Sequence, residues 1–263
     1  MPATYRYRNE VNPRRLLKGL FIIICVLLCL SLFFQSLKYI FHLDFPGMNF
    51  LIYLFNVDQE NNIPTFFSCI LLLLAAQSLA SIARHKTAGK QPYYRHWWLL
   101  SGLFLVVAID EFAAMHERLS EIVRDKLHVS GFLYYAWIIP AFFFVLFLVI
   151  IYAGFVFRYL PKQTRIEVIL AASIFIGGSL CVEMLEGRYF LISGSNENMV
   201  NALLTSVEEG MEMIGVAIFY YSMERFKLLA DTGIQVNKNQ RKITATDNSE
   251  TLSGIKVIIK SRK

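Results

Sequence analysis

Long apolar runs broken by short polar stretches set the pattern of this chain. A membrane span needs about 20 apolar residues. Six runs qualify, roughly 16–41, 63–83, 97–117, 131–157, 166–190 and 200–226. The pattern predicts an all-α, polytopic transmembrane helix bundle over residues 1–230, followed by a flexible basic tail over 231–263. The first run follows Arg14, Arg15 and Lys18 as a signal peptide would, but it is too long and no small-residue cleavage site follows, so it reads as a retained anchor. Two shorter segments are predicted to be more than linkers. "GMNFLIYLF" (47–55) is too short to span and suits the interface. In 117–130, Leu119, Ile122, Val123 and Leu127 recur at helical spacing, as in an interface helix or an extension of the third span.

Charge placement orients the bundle. Lys and Arg concentrate in the N-terminal stretch (Arg6, Arg8, Arg14, Arg15, Lys18), in 84–96 (Arg84, Lys86, Lys90, Arg95), near 158–165 (Arg158, Lys162, Arg165) and in the tail. The intervening 42–62 and 191–199 carry none. The positive-inside rule then puts both termini on the cytoplasmic side of a plasma or other bacterial inner membrane. Segment 118–130 departs from this with Arg118, Arg124 and Lys126, accompanied by Glu121 and Asp125.

Composition removes some alternatives. With 56% hydrophobic residues and a mean hydropathy of +0.46, the chain is too apolar for an ordinary soluble domain. Its net charge of +6 is spread over segment ends and the tail, which does not resemble a nucleic-acid footprint. Cys25, Cys29, Cys69 and Cys181 all fall in apolar runs without metal-ligand spacing and read as packing residues.

The candidate chemistry lies where the apolar runs end. "DEFAAMHE" closes the third span with Asp110, Glu111, His116 and Glu117. "CVEMLEGRYF" closes the fifth with Glu183 and Glu186, and "NALLTSVEEGMEMIG" opens the sixth with Glu208, Glu209 and Glu212. On a rise of about 1.5 Å per residue all eight acids lie roughly 20–30 Å above the inner face. On one continuous helix Asp110 and Glu117 would point within about 20° of each other. Each ionised acid at mid-bilayer costs about 2.5–3.5 kcal/mol, less toward the interface. His116, Arg118 and Arg188 are too few to balance them.

Divalent metal or protonation would resolve the imbalance. A mostly carboxylate set with one imidazole suits iron, manganese or zinc, and oxygen alone suits calcium or magnesium. The expected ligands are Asp110, His116, Glu117, Glu183, Glu209 and Glu212, with Glu111 and Glu208 as acid–base groups beside them. Met115, Met184, Met211 and Met213 hint only weakly at copper, since Met is ordinary helix packing. No Glu-x-x-His pair of the soluble carboxylate-bridged bundles occurs.

"DEFAAMHE" and "EEGMEMIG" resemble segments of a family of uncharacterised bacterial and cyanobacterial multipass proteins. There, an Asp-Glu segment ending in His-Glu precedes a Glu-Glu-x-x-Glu-Met segment. The resemblance groups Asp110, Glu111, His116, Glu117, Glu208, Glu209 and Glu212 and implies no particular reaction. The chain does not resemble ceramidase-type membrane hydrolases, whose metal sites are built mainly from histidines. Three functions fit the residues. One is a metal-dependent enzyme on a lipid or other apolar substrate. Another is a proton- or cation-coupled carrier, against which no broken helix is visible in the sequence. The third is an accessory subunit with a structural acidic core.

Overall fold

A computed structural model describes residues 12–231; the tail expected over 231–263 lies, from 232 onward, outside them. Among the described residues every regular element is helical: α1 (Pro13–Tyr39), α2 (Met48–Phe55), α3 (Ile63–Ala88), α4 (Tyr94–Ala113), α5 (Met115–Leu127), α6 (Ile138–Gly154), α7 (Lys162–Ile176), α8 (Glu183–Ser193) and α9 (Met199–Asp231). Two wide, π-helical turns interrupt this order, Phe155–Tyr159 after α6 and Gly177–Val182 between α7 and α8.

Local chemistry explains the boundaries. Asn12 accepts from the Arg14 amide ahead of Pro13, and Asn62 accepts from the Thr65 amide ahead of Pro64. Both show the usual order of an Asx cap and then proline in the first turn. Gly194, in the left-handed region, ends α8.

Five helical segments are long and apolar enough to cross a membrane: Pro13–Tyr39, Ile63–Ala88, Tyr94–Ala113, Ile138–Tyr159 and Lys162–Ser193. Their exposed faces carry Phe33, Phe66, Leu99, Phe143, Ile150 and Phe157, a surface suited to lipid. The chain is therefore built as a membrane protein. The sixth apolar run forms α9, which has 33 residues but too many charges to join these five on composition.

Helix α9 is the axis of the fold. It packs against α7, α1, α3 and α8, while α4 packs on α3. Gly215 makes the α7 approach possible: a Cβ there would lie 2.9 Å from the Ala171 carbonyl oxygen. Around this contact a core of Leu72, Leu79, Ala171, Met213, Ala217 and Met223 closes. Segment 138–159 is only 11% buried against 56% for α3, so one faces lipid and the other the bundle.

Three expectations need correction. The third span does not run to 117: the chain leaves the helix at Ala114, whose φ of 50° lies in the left-handed region. Of the two readings of 117–130, the continuation of that span fails and the separate helix stands: the segment belongs largely to α5, of which only Ser120 is buried. The fifth span is not uniform, because its helix widens at Gly177–Val182. No Gly or Pro marks the break at 114, so propensity alone could not reveal it.

Candidate metal centre

Ala114 shapes the end of the bundle that carries the acids. A left-handed alanine costs on the order of 1 kcal/mol and persists only where its surroundings compensate. Here Asp110 compensates. Its Oδ1 accepts the His116 amide at 2.9 Å, and its Oδ2 meets His116 Nδ1 at 3.1 Å. One carboxylate thus caps the first turn of α5 and orients the imidazole. The expected alignment of Asp110 with Glu117 fails because the two residues sit on different helices. Asp110 folds onto His116 instead, and Nε2 is left for another partner.

That partner comes partly from the loop after α2. Glu60 joins His116 and Glu117 so that one ligand atom from each lies within 4.8 Å of the others, the one such set among the described residues. The loop is held by polar side chains. Gln35, buried on α1, donates to Ser31 Oγ and Asn56 Oδ1, both at 3.0 Å. Asn62 donates to the Asn56 carbonyl at 2.6 Å and to the Tyr53 carbonyl at 2.9 Å. Thr65 Oγ1 donates to the Gln59 carbonyl at 3.0 Å, beside Glu60.

The electrostatics fit a centre short of positive charge. Burial raises the Glu60 pKa, and the Glu117 carboxylate raises it further. Burial is the largest influence on His116 and favours the neutral ring. The Asp110 hydrogen bond and the charges of Asp110, Glu183 and Glu212 outweigh it and push the pKa up to about 9. An imidazole fixed by a carboxylate through one nitrogen, with the other free, is the usual posture of a metal-ligating histidine.

The remaining predicted residues lie behind this group. Glu183 accepts from Trp137 Nε1 at 2.6 Å, and the Trp137 ring stands 5.1 Å from that of His116. Glu111 stands within electrostatic reach of His116, Glu60 and Asp110, and Glu212 of Glu111, Glu183 and His116. Glu208 and Glu186 stand within electrostatic reach of each other across α8 and α9. Glu209 stands within electrostatic reach of Glu111, Glu212 and Glu186. Helices α4, α8 and α9 thus face their acids toward one region, but Asp110, Glu183, Glu209 and Glu212 stay outside the tight set.

Sequence reasoning missed Glu60 and Trp137. The available signal for Glu60 was an outer loop without Lys or Arg that nevertheless carries Asp58 and Glu60. Nothing local links Trp137 to Glu183, 46 residues away.

No curated protein and no solved structure matches the chain. Residues 14–225, which include α4, α5, α8, most of α9 and every acid named above, match the family described as a domain of unknown function, DUF8692, and the chain belongs to that family.

Proposed function

We propose that the protein crosses the inner membrane of a bacterium six times, with both ends inside. It binds a divalent ion at its outer face and acts there as a metal-dependent enzyme on a lipid or other apolar molecule. One observation carries this reading: Glu60, His116 and Glu117 offer ligand atoms within 4.8 Å of one another while Asp110 Oδ2 meets His116 Nδ1. Two carboxylates and an imidazole suit iron, manganese or zinc. Three protein ligands on a partly exposed site leave room for water or substrate. A bound ion would supply Lewis acidity toward water or a carbonyl or phosphoryl oxygen. Asp110 fixes the ring, Glu60 and Glu117 supply charge, and Glu111, within electrostatic reach of His116 and Glu60, is placed to take up a proton. The α9 helix, at about 50 Å on a rise of 1.5 Å per residue, is long enough to be the sixth span.

Elemental analysis of the purified protein tests the centre. The expected result is stoichiometric iron, manganese or zinc in the wild type, lost in His116→Ala at equal expression. A wild type free of stoichiometric metal overturns it. Reporters fused after residue 231 and within 194–198 test the topology, with cytoplasmic activity expected only for the first.

A second reading, an ion-coupled carrier, draws support from the helix interruptions at Ala114 and Gly177–Val182 beside the acids. Transporter sites use such broken helices. Cation uptake into proteoliposomes, abolished by Glu209→Gln, would favour it over the enzyme.

A further inference from the structure

Helix α5 carries an apolar stripe that stands largely uncovered. Met115, Leu119 and Ile122 follow one another at i, i+4 and i+7 and are 55%, 41% and 54% exposed. The opposite arc carries Glu117, Glu121 and Asp125, all exposed. A second stripe leads into the first. Leu105, Ile109 and Phe112 on α4 have the same spacing and are also exposed, on one of the five segments apolar and long enough to cross a membrane. Phe112 and Met115 are three residues apart, so their Cα atoms lie within about 10 Å of each other. The lipid-facing surface of α4 thus passes into α5.

A helix with acids on one face and apolar residues on the other, joined to the end of a span, suits the plane where acyl chains meet headgroups. Basic residues mark that plane. At 100° per residue Arg118 points about 40° from Ile122 on one side and about 60° from Glu121 on the other, at the border of the two faces. Lys126 falls in the apolar arc about one turn beyond Ile122, where its stem can lie along apolar surface and its charge reach out. Arg124 is committed: it donates to the Tyr134 carbonyl at 3.2 Å, and its guanidinium lies 4.5 Å from the centre of the Tyr134 ring. The Arg118 side chain has no hydrogen bond or ion pair among the described residues. It follows Glu117 in the chain and stands within electrostatic reach of Glu60, two of the three residues that offer ligand atoms to one another.

We infer that α5 docks on phospholipid of the adjoining leaflet. Acyl chains lie along Met115, Leu119 and Ile122, and Arg118 holds the headgroup phosphate beside Glu60 and Glu117. A guanidinium suits phosphate because it donates in a planar fork. The inference rests on the proposed function only in its last step, that this phospholipid, rather than another apolar molecule, is the substrate of the metal centre.

The test uses purified full-length protein and two probes. In nanodiscs of phosphatidylcholine brominated in the upper acyl chain, fluorescence of Leu119→Trp should be quenched well beyond that of the wild type, and Glu121→Trp should show no such excess. In detergent, pyrene-labelled phosphatidylethanolamine should bind the wild type and bind Arg118→Gln about tenfold more weakly, as for the loss of one charge-assisted hydrogen bond. Pyrene-labelled diacylglycerol, which lacks phosphate, should bind both proteins alike, and excess inorganic phosphate should not displace the phospholipid. Absence of excess quenching in Leu119→Trp would overturn the docking. Equal phosphatidylethanolamine affinity in the wild type and Arg118→Gln would overturn the phosphate assignment, and so would displacement by inorganic phosphate. Each titration is run in chelator and again with Mn²⁺. Arg118-dependent lipid binding by a protein that takes up no Mn²⁺ would sustain the docking and sink the metal centre. Mn²⁺ bound by the wild type and lost in His116→Ala, with lipid binding indifferent to Arg118, would do the reverse.

Discussion

The two ends of the bundle treat buried charge in opposite ways. At one end two acids have fixed cations: Glu167 on α7 meets Arg225 on α9 at 2.8 Å, and Glu224 meets Lys227 one turn on at 2.5 Å. Lys86 there donates to Gln91 and lies over the rings of Tyr159 and Phe226. At the other end the acids of α4, α8 and α9 stand within electrostatic reach of one another and of His116. The paired acids complete themselves and act as structure. The other set holds more acids than cations, the imbalance on which the proposed metal centre rests. The same residue types on the same helix therefore serve different ends, according to whether the fold brings them a partner.

Breaking the Glu167–Arg225 pair should have the largest effect. Arg225→Ala leaves Glu167 buried alone, and a loss of about 3–5 kcal/mol is expected in unfolding measurements in detergent. The double variant Arg225→Met, Glu167→Gln should recover most of it. A neutral Arg225→Ala would erase the contrast between the two ends.

Next comes the carboxylate behind His116. Asp110→Asn should weaken metal binding about 10–100-fold in calorimetric titration, because the imidazole loses its orienting partner. An unchanged Kd would show that Asp110 serves only as the cap of α5.

The sign of one substitution sharpens the comparison further. Glu167→Gln should destabilise the protein, whereas Glu209→Gln in chelator-treated protein should stabilise it, on the order of 1 kcal/mol, by removing repulsion among the acids. Thermal unfolding of the two variants side by side reads both signs.

The smallest effect is a pH trend. The His116 pKa stands at about 9 in the fold against 6.5 for a free ring. Its protonation therefore stabilises the metal-free protein fully below about 6.5, and that contribution disappears as pH rises through about 9. Metal competes with the same proton, so affinity should climb over the same window. Unfolding of chelated protein and metal titration across this range should show opposite slopes. His116→Ala should flatten the first.

Much of the architecture is legible in one dimension, for a physical reason. Apolar run length is set by bilayer thickness, so the spanning helices stand out along the chain. Acids at span ends stand out because they are costly there, and Asp110, Glu111, His116, Glu117, Glu183, Glu208, Glu209 and Glu212 could be singled out from that cost. That α4, α8 and α9 turn these acids toward a common region accords in outline with their shared depth.

Only the tertiary structure decided the contacts between segments remote in sequence. Glu60 reaches His116 because Gln35, Asn56, Asn62 and Thr65 clamp its loop through hydrogen bonds spanning up to 21 residues. Ala114 takes a left-handed turn because Asp110 is there to cap the first turn of α5, a strain no local propensity foretells. Gly178 lets the wide turn before Glu183 approach α9 until a Cβ would lie 2.9 Å from the Glu208 carbonyl oxygen. Local pattern records what a residue costs where it stands. Which neighbour offsets that cost depends on long-range packing, and that is settled only when the helices meet.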